Sequence, residues 1–188
     1  MPYTNRNRSF LAYIRYGEGY LSPCRFGEFM LHENATSQFD TCADQLDFSG
    51  DKDQGLPFYF RYTSKGYLLY VRVETRGYAS ATFDGHGVFV RDNIACMHYV
   101  RDVDPTLFRL QLPEIVEEGR EYSTRLTSVE HGRALGLEKY TFHAGRGRTT
   151  RRDFKADVDL LCLASQAAAV TLEIIKVNVP WRSEPNEA

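Results

Sequence analysis

Two stretches of this chain are nearly interchangeable. Residues 10–21 read FLAYIRYGEGYL and residues 58–68 read FYFRYTSKGYL, with Gly19 and Gly66 47 positions apart. Each opens on Phe, passes through an aromatic-Arg-Tyr cluster and a short polar insert, and ends Gly-Tyr-Leu. Aromatic and β-branched residues favour extended backbone, and a glycine beside polar residues is what a tight reversal needs. A chain that repeats a strand–turn–strand unit must bury that unit against its own copies. Aligning Phe10, Phe58 and Phe108 gives spacings of 48 and 50 residues. The chain therefore reads as one domain over 1–188, with approximate repeats at 8–56, 57–106 and 107–178 and a polar tail at 179–188.

Other segments extend the β pattern. CRFGEFML, YLLYVRVET, GVFVRD, LFRLQL and VTLEIIKV are short and rich in aromatic or β-branched residues. In YLLYVRVET, Leu69, Val71 and Val73 alternate with Tyr70, Arg72 and Glu74, the period of a half-buried strand. Gly, Asp and Asn separate the runs in YGEG, TSKG, FDGHG, VRDN and HAGRGR. One segment stays ambiguous: DVDLLCLASQAAAV at 157–170 fits a short helix or a buried strand followed by a loop. The third unit is longer than the others. It carries the extra stretch PEIVEEGREYS at 113–123 and has LTSVEHGRALGL where the others have Gly-Tyr-Leu.

The pattern resembles the β-trefoil superfamily, in which three four-stranded repeats close a small barrel capped by hairpins. The resemblance rests on Phe10, Gly19-Tyr20-Leu21, Phe58, Gly66-Tyr67-Leu68 and Phe108, and spans about residues 8–178. No Gln-x-Trp motif is present and the single Trp is Trp181, which departs from the ricin-type lectins. The Gly-Tyr-Leu turns are more similar to the fascin and actin-crosslinking branch. The resemblance implies an all-β trefoil and, as function, binding of sugars, proteases, actin or other proteins through variable loops. Another β-barrel or a β-sandwich is the alternative fold. Either way, Tyr20, Leu21, Tyr67 and Leu68 are expected in the core.

Composition narrows the partners. The formal net charge is −2 and the pI about 6.2, unlike a protein whose whole surface is built for nucleic acid. No run approaches the ~20 apolar residues that span a bilayer, and MPYTNRNRSF does not read as a secretory signal. The expected location is the cytoplasm, or outside the cell without a cleaved signal peptide. Cys24, Cys42, Cys96 and Cys162 are scattered without a CxxC pair, so buried thiols are expected, with two disulfides open if the protein is extracellular. No nucleophile elbow, phosphate-cradling glycine loop, HExxH or paired-acid motif occurs. The reading is a non-catalytic binding module with no metal and no cofactor, although acid-pair enzymes leave little trace in one sequence.

Two polar segments are the candidate sites. In FDGHGVFVRDN, Asp84, His86, Arg91, Asp92 and Asn93 could hydrogen-bond the hydroxyls of a sugar while a Tyr or His face covers its apolar side. A solvated hairpin turn is the plainer explanation. In HAGRGRTTRRDFK, Arg146, Arg148, Arg151, Arg152 and Lys155 stand against one acid, Asp153. Such a run suits a phosphate, sulfate or carboxylate on a glycan or protein partner, or is a solvated charge run. The 113–123 insertion is a third candidate, as a reactive loop for a protein partner such as a protease. His98 and His131 read as strand and turn residues.

Overall fold

A computed structural model describes residues 6–23, 45–53, 55–72, 84–100, 104–144 and 154–180, with side chains described outside 49–50, 140–144 and 154–158. It is all-β. Among the described residues, one 3-10 turn at Arg6–Arg8 precedes thirteen strands: β1 (Phe10–Tyr16), β2 (Gly19–Pro23), β3 (Leu46–Gly50), β4 (Phe58–Thr63), β5 (Gly66–Val71), β6 (His86–Arg91), β7 (Ile94–Tyr99), β8 (Leu107–Arg109), β9 (Glu121–Thr124), β10 (Thr127–Ser128), β11 (Gly136–Ala144), β12 (Phe154–Cys162) and β13 (Val170–Val177). Eight of them close an antiparallel barrel in the order β1–β4–β5–β6–β7–β12–β3–β2 and back to β1. The other five attach to it: β13 to β1, β9 to β13, β8 to β5, β10 to β8 and β11 to β12. A second circuit of pairings therefore runs β1–β4–β5–β8–β10, through residues 125–126 into β9, and back by β13 to β1.

The twin segments form two tight hairpins, β1–β2 and β4–β5. Their first strands pair with each other antiparallel, Phe10 opposite Phe60 and Ala12 opposite Phe58. Phe10 and Phe60 stack at 4.7 Å and 14°, and the Tyr67 ring stands edge-on to both at 5.7 and 6.4 Å. That aromatic group opens a core that continues through Ile14, Leu21, Leu69, Met97, Phe108, Leu126 and Leu172. The glycines of both hairpins have one cause. A Cβ on Gly19 would land on the carbonyl oxygen of Phe48, and one on Gly66 on that of Phe108. In each hairpin the next strand's backbone crosses where a side chain would stand.

Burial departs from the expected alternation in β5. Leu69 and Val71 enter the main core, but Leu68 and Tyr70 are also buried, in a second cluster on the outer wall with Leu11, Tyr59 and Val179. The cover is the segment that follows β13, Asn178–Pro180. The Tyr59 hydroxyl donates to Val179 O at 2.9 Å, Arg72 Nη1 to Pro180 O at 2.7 Å, and Val179 N to Ser9 O at 3.2 Å. The ambiguous 157–170 segment resolves into the end of β12 and a loop. Leu160, Leu161 and Cys162 are all buried, so no polar face was there to mark a period. CRFGEFML lies outside the described residues.

Of the four Gly-Tyr-Leu residues expected inside, Leu21, Tyr67 and Leu68 are buried. Tyr20 is only half-buried and gives its hydroxyl to the carboxylate of Glu173. Two stability changes should follow. Gly19→Ala and Gly66→Ala each cost about 1–3 kcal/mol from overpacking, read as a lower denaturation midpoint. Tyr59→Phe, which strands the buried Val179 carbonyl, should cost about 1–3 kcal/mol; an unchanged midpoint would show that Asn178–Pro180 does not hold the outer wall.

Candidate functional site at the β6–β7 hairpin

The polar hairpin singled out by sequence is β6–β7, with His86 opposite Tyr99 at its base and Arg91 opposite Ile94 at its tip. Five residues of strand separate His86 from Arg91, about 17 Å at ~3.3 Å per residue. Asp84 and His86 therefore sit at one end and Arg91, Asp92 and Asn93 at the other. They do not converge. Asp92 and Asn93 have φ of 49° and 68°, the paired left-handed conformation of a two-residue hairpin loop. Asn93 O accepts a hydrogen bond from Leu163 N at 2.7 Å, which seats the tip on the link between β12 and β13. Arg91 lies 5.3 Å over the Phe89 ring. The tip residues thus have backbone and packing roles.

The base is different. Tyr99 is 61% exposed and meets the His86 ring edge-to-face at 5.7 Å. Asp84 and His86 are half-buried beside it. Gly85, at φ 81°, donates its N–H to Val71 O at 2.9 Å, which hangs this end of the hairpin on β5. Among the described residues outside its chain neighbours, a Cβ built on Gly85 would meet only the edge of Tyr99, at 4.0 Å. At Gly87 the opposite holds: a Cβ would collide with Pro105 and Val100, so the link after β7 is pressed onto β6. Among the described residues, this end of the hairpin carries the Tyr99 ring, the His86 imidazole and the Asp84 carboxylate. Sequence reasoning passed over Tyr99. By alternation it shares the inward face of Ala95 and Met97, and His86 shares that of Val88. The pair comes out because it stands one register step past the last core pair, Val88 and Met97.

The remaining candidates are dispersed. Arg146, Arg148, Arg151 and Arg152 lie outside the described residues, as does the side chain of Lys155 in β12. Residues 113–120 form the exposed connection from β8 to β9. His131 is a turn residue, its Nδ1 2.9 Å from Ser128 Oγ. Cys96 and Cys162 are buried without a disulfide, and burial pushes the Cys162 thiol up to about 11, which keeps it protonated at neutral pH. Among the described residues no group of three or more His, Cys, Asp or Glu could hold one metal ion. Nor is any described helix long and apolar enough to cross a membrane.

A second polar group stitches the outer wall near β13. Glu173 accepts from the Tyr20 hydroxyl at 2.9 Å and pairs with Lys52, while Arg15 bridges to Glu121 at 3.0 Å. Burial disfavours the Glu173 carboxylate, but hydrogen bonds from Lys52 and Tyr20 and nearby positive charge outweigh it and hold its pKa below the ordinary value. The same hydrogen bond to Glu173 leads the causes that raise Lys52. The group fastens β2 and the 50–53 turn to β13. No family model, no curated protein and no solved structure matches this chain.

The stitch sets a pH signature. A carboxylate with a depressed folded pKa contributes stability above its unfolded value, on the order of pH 4, and loses it as pH falls through the folded value. The raised Lys52 contributes below its ordinary value and loses it as pH rises through the higher folded one. Melting temperatures of the native chain and of Glu173→Gln should therefore differ at pH 7 and converge in acid. Parallel curves from pH 7 to pH 2 would show that the carboxylate contributes nothing.

Proposed function

We propose that this chain is a non-catalytic carbohydrate-binding module, carried on a β-trefoil frame, with its sugar site at the base of the β6–β7 hairpin. The observation that supports the site is Tyr99, a rigid ring exposed at 61% and braced by His86. A pyranose presents an apolar C–H face and a rim of hydroxyls. Tyr99 offers the face its platform, Asp84 accepts from vicinal hydroxyls, and His86 hydrogen-bonds at the rim. Gly85 lets the sugar approach the backbone without a side chain between them. Loops vary while a barrel supplies stability, so a ligand edge at a hairpin base fits such a frame.

The trefoil reading draws support from the second circuit of strand pairs. In it the units run β1–β4, β5–β8 and β9–β13, beginning at Phe10, Gly66 and Glu121. Each opens with a strand that sends side chains inward or onto the core: Phe10, Ala12 and Ile14; Tyr67, Leu69 and Val71; Tyr122 and Thr124, with Leu126 just beyond the strand. Each then carries a long hairpin, β2–β3, β6–β7 or β11–β12, before a closing strand, β4, β8 or β13. On these pairings the twin hairpins play different parts. The first opens a unit, and the second joins one unit to the next.

A glycan array followed by calorimetry tests the site. The native chain should bind at least one neutral oligosaccharide saturably. Tyr99→Ala should weaken it about tenfold or more, near 1.4 kcal/mol, with an unchanged melting temperature. Asp84→Ala should weaken it as well, whereas Asn93→Gly at the distant tip should leave it intact. Silence across a broad array, or equal loss from Asn93→Gly and Tyr99→Ala, would refute this assignment.

A further inference from the structure

The three hairpins β2–β3, β6–β7 and β11–β12 meet in a ring. Gln45, just before β3, bridges to Cys96 in β7. Ile94 in β7 pairs with Cys162 in β12, and Leu160 in β12 pairs with Asp47 in β3. Each hairpin thus gives the ring two residues, one toward either neighbour. The residue between them, Leu46, Ala95 or Leu161, is buried in the main core. Side chains alternate along a strand, so the six ring residues face away from that core.

Two hairpins fill these outward positions alike and the third does not. In β6–β7 they hold Ile94 and Cys96, with Phe89 opposite Cys96. In β11–β12 they hold Leu160 and Cys162, with Gly136 opposite Cys162. These are apolar groups and thiols, and the Cys96 thiol donates to Phe89 O at 3.6 Å. In β2–β3 the same positions hold Gln45 and Asp47, with Ser22 opposite Asp47. Ser22 and Asp47 are only 2% and 5% exposed. Yet Ser22 Oγ and Gln45 Oε1 are buried without a hydrogen-bond partner among the described residues. A buried oxygen left unmet is costly, and two at neighbouring positions call for one group that meets both.

We propose that Ser22 Oγ, Gln45 Oε1 and the Asp47 carboxylate hold a hard divalent cation of calcium's kind. Ser22 and Asp47 stand opposite each other, about 5 Å apart at Cα. Gln45 lies two residues along the same face, about 7 Å from Asp47, a gap its longer side chain can cover. The amide oxygen and the carboxylate only accept, so what meets them is electropositive. All three are oxygens, which suits a hard cation and not the soft metals that thiolates take. Only one is a carboxylate, so the group differs in kind from the clusters of acids, thiols and imidazoles that the described residues lack. Three side chains on two strands do not impose the near-ideal octahedron that magnesium demands, whereas calcium accepts irregular shells and completes them with water. A single carboxylate sets the affinity at the weak end, with Kd about 10⁻⁴–10⁻³ M. Gln45 is only half-buried, so the ion enters past it. Bound there, it ties β2 to β3 where that hairpin joins β7 and β12.

Thermal unfolding of the full chain in EDTA and in about 10 mM calcium tests the site, with sodium chloride at matched ionic strength as the counter-probe. Calcium should raise the folded-to-unfolded ratio about 10- to 100-fold, read as a melting temperature higher by about 3–10 °C. Ser22→Ala removes a hydroxyl that has no partner. Its melting temperature in EDTA should equal or exceed that of the native chain, and calcium should raise it much less. Asp47→Asn should lose the calcium shift altogether. A bridging water in place of the ion predicts coincident curves in EDTA and calcium, and that result overturns the proposal. So does a shift that sodium reproduces, or one that either variant keeps in full, since the ion would then sit on surface carboxylates. Glycan binding at Tyr99 is read separately, and neither result decides the other.

Discussion

The structure depends on β1 being paired along both edges. One edge carries β4 at Phe10–Ala12 and β2 at Arg15–Tyr16; the other carries β13 from Phe10 to Arg15. The first strand of the chain is therefore closed by one of its last. The circuit that returns through β13 does not exist until residues some 160 positions apart have met. Closing so long a loop carries an entropic cost that local hairpins do not, so such a topology folds slowly and gains its stability late. The aromatic group of Phe10, Phe60 and Tyr67 lies beside that closure, and its burial offsets part of the cost.

Two connections hang from this frame. The β8–β9 loop is tied to Ile174, in the middle of β13, and the base of β6–β7 is tied to Val71 at the end of β5. Each tie runs to a strand whose own pairs belong to the closed circuit. The outer wall is reinforced separately. Val179 covers Leu11, Tyr59, Leu68 and Tyr70, so β1, β4 and β5 are buried on both faces where the barrel closes.

Much of the strand content was legible in the residues. VTLEIIKV coincides with β13, FLAYIRY with β1 and FYFRYT with β4, because aromatic and β-branched runs bounded by Gly and Asp leave extended backbone as the main choice. What could not be read was which strand lies beside which. The twin segments suggested repetition, yet β1 and β4 face each other in opposite directions, a relation that spacing does not encode. The inward or outward state of Tyr20 and Tyr99 was equally hidden. Alternation gives the face, but only the length of the core decides whether a residue on that face is covered. Leu68 and Tyr70 failed in the other direction, since their cover arrives from Val179, more than a hundred residues away. At the β6–β7 hairpin, sequence reasoning singled out Asp84 and His86 and passed over the ring of Tyr99 that packs against His86. It also grouped them with Arg91, Asp92 and Asn93, which strand length sets about 17 Å apart.

Native-state hydrogen exchange tests the closure most directly, because it reads opening residue by residue. If β1 holds the frame, amides of β1, β4, β5 and β13 should exchange by one common opening, with the highest protection in the chain. The amide of Gly119, which donates to Ile174 O, should follow β13. A β13 that opens well before β1, with β4 and β5 still protected, would contradict the account: the barrel would then stand without its last strand.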